Sequence, residues 1–195
     1  DDGVQIIDIS DPTDIVAKDA ETDGVNSFTE LSGARGADTF VIGSSTYAIV
    51  TSNVDDGIQI IDISDPTDIV AKDAETDGEN SFTMLNGLSD LNTFTIGSST
   101  YAIVASNTDD GVQIIDISDP TDIVAKDAET DGENSFTMLN GARTIETFTI
   151  DSITYAIVTG YVDDGVQIIE LNTDITGPTV TITSSTGDSG DTVSD

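Results

Sequence analysis

The chain has 195 residues, 38 acidic side chains against 5 basic ones, and a formal net charge of −33. That balance argues against nucleic acid and anionic membrane surfaces as partners, because both require a basic footprint. Without Cys or His the chain has no disulfides, thiolate chemistry, imidazole bases or His-containing metal sites, and no apolar window reaches transmembrane length.

Asp1, Asp2 and Gly3 open the chain as a turn in which glycine tolerates positive φ. Residues 4–9 are β-branched and strand-like, with Val4, Ile6 and Asp8 on one face and Gln5, Ile7 and Ile9 on the other. A strand this apolar on both sides is buried on much of both faces. Residues 10–14 stop it: Pro12 suits the first central position of a turn, and Asp11 bonds the backbone just ahead. Residues 15–20 read as a strand or irregular hairpin. A short helix over 15–22 competes, since Ala, Lys and Glu favour helix. A polar turn over 21–26 leads to a third extended segment at 27–31, and Gly33 and Gly36 interrupt the chain beyond it. Residues 38–42 and 46–51, joined through Gly43, Ser44 and Ser45, form a hairpin.

This pattern returns. The run DDGIQIIDISDPTDIV starts at Asp55, recurs with one Val for Ile at Asp1 and Asp109, and is shortened to DDGVQIIEL at Asp163, so the starts are 54 residues apart. Full internal units cover 55–108 and 109–162. Positions held across the copies are those each unit needs to dock on the next; variation concentrates in GARGAD, GLSDLN and GARTIE, just before the Phe-containing strand. About four short β segments per unit, and no convincing amphipathic helix, match a propeller blade. A solenoid is the alternative, but its β-rich units have periods of roughly 20 to 30 residues; a β-sandwich does not call for near-identical copies. The expected fold is therefore all-β, with β-propeller-type repeats over 1–171. Both ends carry the same GVQII strand, so they overlap rather than complement each other, and the chain reads as an open arc or fragment of a larger propeller. Residues 172–195 read as a linker followed by the truncated start of another domain, with one edge strand at 179–183.

GVQIIDISDPT, preceded by TYAIV in the same unit, resembles the LVIVD-type propeller repeat of bacterial and archaeal surface and secreted proteins. The carrying residues are Tyr47 to Val50, Asp55 to Gly57 and Ile58 to Pro66, with their equivalents in the other copies. AKDAETDG reads as an insertion that lengthens the unit. Residues 177–195 resemble the opening of a prokaryotic immunoglobulin-like surface repeat. Together these resemblances imply an exported, multidomain protein at the cell surface or outside the cell, whose partners are neighbouring propeller blades and surface domains of the same parent chain.

Calcium is the sharpest chemical candidate. The ion takes six to eight oxygens from carboxylates, carbonyls and waters on turns. Each AKDAETDG loop offers a set: Asp19, Glu21, Asp23 and Asn26; Asp73, Glu75, Asp77 and Asn80; Asp127, Glu129, Asp131 and Asn134. Against this, the loops lack a DxDxDG core and a bidentate Glu five residues past the glycine, and a solvated acidic turn is the simpler reading. No other cofactor is indicated. Carboxylate pairs could in principle hydrolyse glycosides, but every copy repeats them and no Ser has a His base, so the expectation is a protein that is not an enzyme. The function expected is a structural or spacer module of an exported cell-surface protein. The alternative is a module that binds a protein or glycan ligand, stabilised by calcium.

Overall fold

Apolar runs of strand period become thirteen β-strands in the computed structural model, which describes residues 2–171. The immunoglobulin-like expectation for 177–195 lies outside the described residues. The strands form four antiparallel sheets. The first is the hairpin β1 (Gly3–Asp8) and β2 (Val16–Thr22). A second sheet runs in chain order through β3 (Ala34–Ile42), β4 (Ser45–Ser52), β5 (Gly57–Asp62) and β6 (Val70–Thr76). The third repeats it as β7 (Leu88–Ile96), β8 (Ser99–Ser106), β9 (Gly111–Asp116) and β10 (Val124–Thr130). β11 (Ala142–Ile150), β12 (Ile153–Gly160) and β13 (Gly165–Leu171) make the fourth.

Each four-stranded sheet is a propeller blade, and the sheets stack face to face. β3, β7 and β11 pack against one another in series, which places them on the inner side of the arc. The blade and the sequence unit are out of phase. Unit 55–108 gives β5 and β6 to the outer half of one blade and β7 and β8 to the inner half of the next. The covalent chain therefore staples adjacent blades, and no unit can fold as a closed piece.

Residues 15–22 resolve as strand, not helix: β2 pairs with β1, and its equivalents β6 and β10 do the same with β5 and β9. The extended segment expected at 27–31 does not form. Asn26 and Ser27 have φ of 52° and 68°, and Asn80, Ser81, Asn134 and Ser135 are left-handed too, so the chain coils back at each copy. Phe28, Leu31, Phe82, Leu85, Phe136 and Leu139 are nonetheless at most 1% exposed, because this loop plugs the space between blades. Nor does Gly36 break its strand. It lies inside β3, where an added Cβ would approach the Asp90 Cα to 3.2 Å.

Three apolar layers result. Val4 and Ile6 of the first sheet meet Val50 and Ile61 of the second. Phe40, Ile49, Ile58 and Ile60 meet Ala102, Val104 and Ile115. Phe94, Ile103 and Val112 meet Ile145, Val158 and Ile169. The both-faces-apolar strand of the sequence is thus β5 or β9, sandwiched between blades. A Phe–Tyr pair stacks at the same place in each blade: Phe40–Tyr47, Phe94–Tyr101 and Phe148–Tyr155, with ring centroids 5.4 to 5.6 Å apart.

Ile103 is fully buried in the middle of the stack. Ile103→Ala should cost about 2–5 kcal/mol in urea unfolding, as large-to-small changes in packed cores do. The same change at its repeat equivalent Ile157, only partly buried on the last sheet, should cost less than half of that.

Candidate functional site: the acidic seams between blades

The acidic residues of the repeats converge on the seams between blades. In the DDG turn the two aspartates divide the work. Asp55 Oδ2 accepts a hydrogen bond from the Ser32 N–H at 2.7 Å; Asp109 and Asp163 hold Asn86 and Asn140 in the same way at 2.9 Å. These contacts close each blade onto the loop that feeds it. The second aspartate reaches onward: Asp56 Oδ1 accepts from Gly87 N–H, and Asp110 Oδ1 from Gly141 N–H, both at 2.8 Å. Its backbone is left-handed, with φ of 56° at Asp56 and 55° at Asp110, a conformation that Asp tolerates better than most residues. Burial raises the pKa of Asp55 and Asp109, and neighbouring aspartates add to it.

The AKDAETDG loops, read as calcium ligands, make equally specific protein contacts. Asp19 Oδ2 accepts from Ile69 N–H of the next blade at 2.8 Å, and Asp73 Oδ2 does so from Ile123 N–H at 2.8 Å. Glu21, Glu75 and Glu129 accept from the side-chain amides of Asn26, Asn80 and Asn134. Asp23, Asp77 and Asp131 accept from Leu31, Leu85 and Leu139 N–H at 3.1 Å, pinning the coiled loop over the core. The first carboxylate of the first two sets, Asp19 and Asp73, thus serves the blade ahead, and the others named here serve their own turn. Among the described residues no three acidic side chains come together as a metal-holding group.

On the inner strands the variable segment carries a second ladder. Asp38 Oδ2 accepts from both the N–H and the hydroxyl of Thr93 at 2.7 Å, and Asn92 accepts from the same two groups of Thr147. Asp90 Oδ2 adds the Ile145 N–H at 3.1 Å, where the equivalent Gly36 lies against the backbone of the next blade instead. Three of the five basic residues are tied to the strand aspartate: Lys18–Asp8, Lys72–Asp62 and Lys126–Asp116, at 3.1 to 3.3 Å. The serine two residues on donates through its hydroxyl and its N–H, and with the lysine holds Asp8 down to about 2. Asp65 caps its proline turn by accepting from the N–H and hydroxyl of Thr67. Arg143 lies over the exposed ring of Tyr161, 4.3 Å from its centroid.

One carboxyl stands apart from this pattern. Glu30 is only 8% exposed and occupies the slot that Met84 and Met138 fill in the other copies, against the DDG glycine of the blade. Its Oε1 accepts from the Thr76 hydroxyl at 2.7 Å, while Oε2 is buried without a partner. Burial, reinforced by Asp55, Asp23 and Asp56, pushes its pKa up to about 7. The signal was present in the repeats, as a Glu aligned with two methionines.

Stacked four-stranded blades joined edge to centre define a β-propeller arc. The LVIVD repeat model matches residues 1–20, 44–74 and 98–128, so these three stretches are similar to that repeat. No curated protein matches the sequence. Among solved structures, a Lactobacillus plantarum protein superposes with a TM-score of 0.60 at 14% identity, covering 93% of this chain and 50% of its own. A functionally unknown protein from Desulfotomaculum acetoxidans gives 0.60 at 12%, covering 92% and 48%. The periplasmic gluconolactonase of Pseudomonas aeruginosa gives 0.64 at 9%, covering 89% and 45%. This chain spans about half the length of each. Such distant likeness shows the fold alone. It also corrects the expectation that the protein is not an enzyme, because the same arc is present in a gluconolactonase and in a thermostable family-43 glycoside hydrolase. Repeated carboxylates and absent histidines do not set this fold apart from catalytic ones, since activity is grafted onto a fold by its site and not by its repeats.

Two outcomes test the seam. Asp73→Ala leaves the Ile123 N–H without an acceptor and should cost about 1–3 kcal/mol, with Asp73→Asn recovering part of it; unfolding of the two variants in urea measures both. For Glu30, a folded-state pKa of about 7 exceeds the ordinary 4.5, so protonation favours the folded state. No penalty exists below the ordinary value, and stability falls as pH rises through about 7. Glu30→Met should flatten that decline and raise Tm at pH 8 by several degrees, read by thermal melts between pH 5 and 8.

Proposed function

We propose that the chain is a structural repeat module, an arc of blades that spaces or scaffolds neighbouring domains of an exported, surface-located protein. The observation that carries this is the destination of the recurring residues. Asp19, Asp56, Asp73 and Asp110 each accept a backbone N–H from the following blade, and the recurring Ile and Val positions fill the layers between blades. What recurs from copy to copy is thus the apparatus for joining blades. A net charge of −33 supports the location, because such a surface stays soluble in a salty medium that screens its self-repulsion.

Removing residues 55–108 deletes one full period and rejoins equivalent positions. A scaffold built from interchangeable units keeps an all-β spectrum and a cooperative melt at lower Tm after this deletion. Loss of cooperative folding would sink the reading. Protease treatment of intact cells carrying the parent protein tests the location, with cleavage of the module expected and full protection counting against it.

A further inference from the structure

The loops that cross from one sheet to the next, 23–33, 77–87 and 131–141, share one construction. Each buries a Phe and a Leu, and in each an aspartate accepts the Leu N–H at 3.1 Å. They differ at the residue that faces the DDG glycine. Met84 and Met138 lay their sulfur there, 3.0 and 2.5 Å from where a Cβ on Gly111 or Gly165 would sit. Glu30 lays its carboxyl against Gly57 instead, with Oε2 buried and without a partner. The second loop is also clasped by Gln113, whose Oε1 accepts the Thr83 and Met84 N–H groups at 3.1 and 3.2 Å and whose Nε2 donates to the Ser81 carbonyl at 3.0 Å. In the first, Gln59 accepts the Thr29 N–H at 3.0 Å and turns its Nε2 to the Asp73 carbonyl of its own sheet at 2.9 Å.

We propose that loop 23–33 is a pH latch on the first seam: protonated Glu30 holds it shut over Phe28 and Leu31, and ionised Glu30 lifts it while the two methionine-bearing loops stay closed. A buried carboxylate is tolerated when its oxygens are hydrogen-bonded, and here the Thr76 hydroxyl serves Oε1 alone. The charged groups that bear on Glu30 are Asp23 of its own loop and Asp55 and Asp56 of the β4–β5 turn, all carboxylates. β5 and β6 present Gly57 and Thr76, which carry no charge. Desolvation and repulsion therefore both act against the ionised form, and both are relieved when the loop swings into water. Gly24 and Gly33, left-handed with φ of 77° and 70°, flank the loop as its hinges. Once protonated, the side chain is as neutral as the methionine of the other copies, and the slot closes on it. With a closed-state pKa of about 7 against the ordinary 4.5, opening is independent of pH below the ordinary value, grows as pH rises, and levels off above about 7.

Hydrogen exchange of the full chain at about pH 5 and pH 8, corrected for intrinsic amide chemistry, reads the three loops side by side. The opening constant of the Leu31 and Ser32 amides should rise more than about tenfold relative to Leu85 and Asn86, with most of the rise complete by about pH 7. The second and third loops serve as internal controls, since their own aspartates titrate in the same surroundings. Glu30→Met and Glu30→Gln should both hold the first loop shut at either pH; methionine already fills this slot in two copies, so the first variant keeps the fold. Three results overturn the latch: equal exchange of the first and second loops at both pH values, a pH-dependent opening that persists in Glu30→Met, or all three loops opening together at high pH. None of these bears on the module reading, which the deletion of residues 55–108 tests separately.

Discussion

Everything in this protein depends on one constraint: a blade has no core of its own and must bury both faces against neighbours. A strand such as β5, with Ile58, Ile60 and Ile61 all at most 1% exposed, is stable only as the middle of a sandwich. Apolar burial at roughly 25 cal/mol per Å² supplies the driving force, but it has no direction. Direction comes from the carboxylates. Each seam aspartate accepts a backbone N–H at a fixed offset into the next blade, so one register satisfies both the apolar layers and the buried amides.

That arrangement explains how so acidic a chain folds. A carboxylate accepting backbone N–H groups gains a charge-assisted hydrogen bond, and a lysine pairs with the strand aspartate in each of the three copies of that strand pair. The exception shows the rule. Glu30 sits where the other blades place methionine and has one oxygen unpartnered; its carboxyl is held up to about 7, toward its neutral form.

The offset between sequence unit and blade has its own consequence. Because β6 and β7 lie in different blades but in one continuous unit, the loop between them must cross the seam. Phe82 and Leu85 on that loop are fully buried there. The crossing loop is therefore part of the interface, and its left-handed Asn80 and Ser81 set the angle at which it enters.

The period and the propeller class were both legible in the sequence, because 54-residue self-similarity and β-branched runs are local and repeated. So was the turn role of Asp65, an Asp before Pro that bonds two residues on. Other features required the tertiary structure. Residues 15–22 carry helix-favouring Ala, Lys and Glu, and only pairing with β1 makes them a strand. Residues 27–31 look extended, yet two left-handed residues coil them into a plug. The partners of Asp19, Asp56 and Asp38 lie 50, 31 and 55 residues away, and no local pattern reveals such a distance. Composition showed a surplus of carboxylates; stacking the blades decided that many of them would be the acceptors that join one blade to the next.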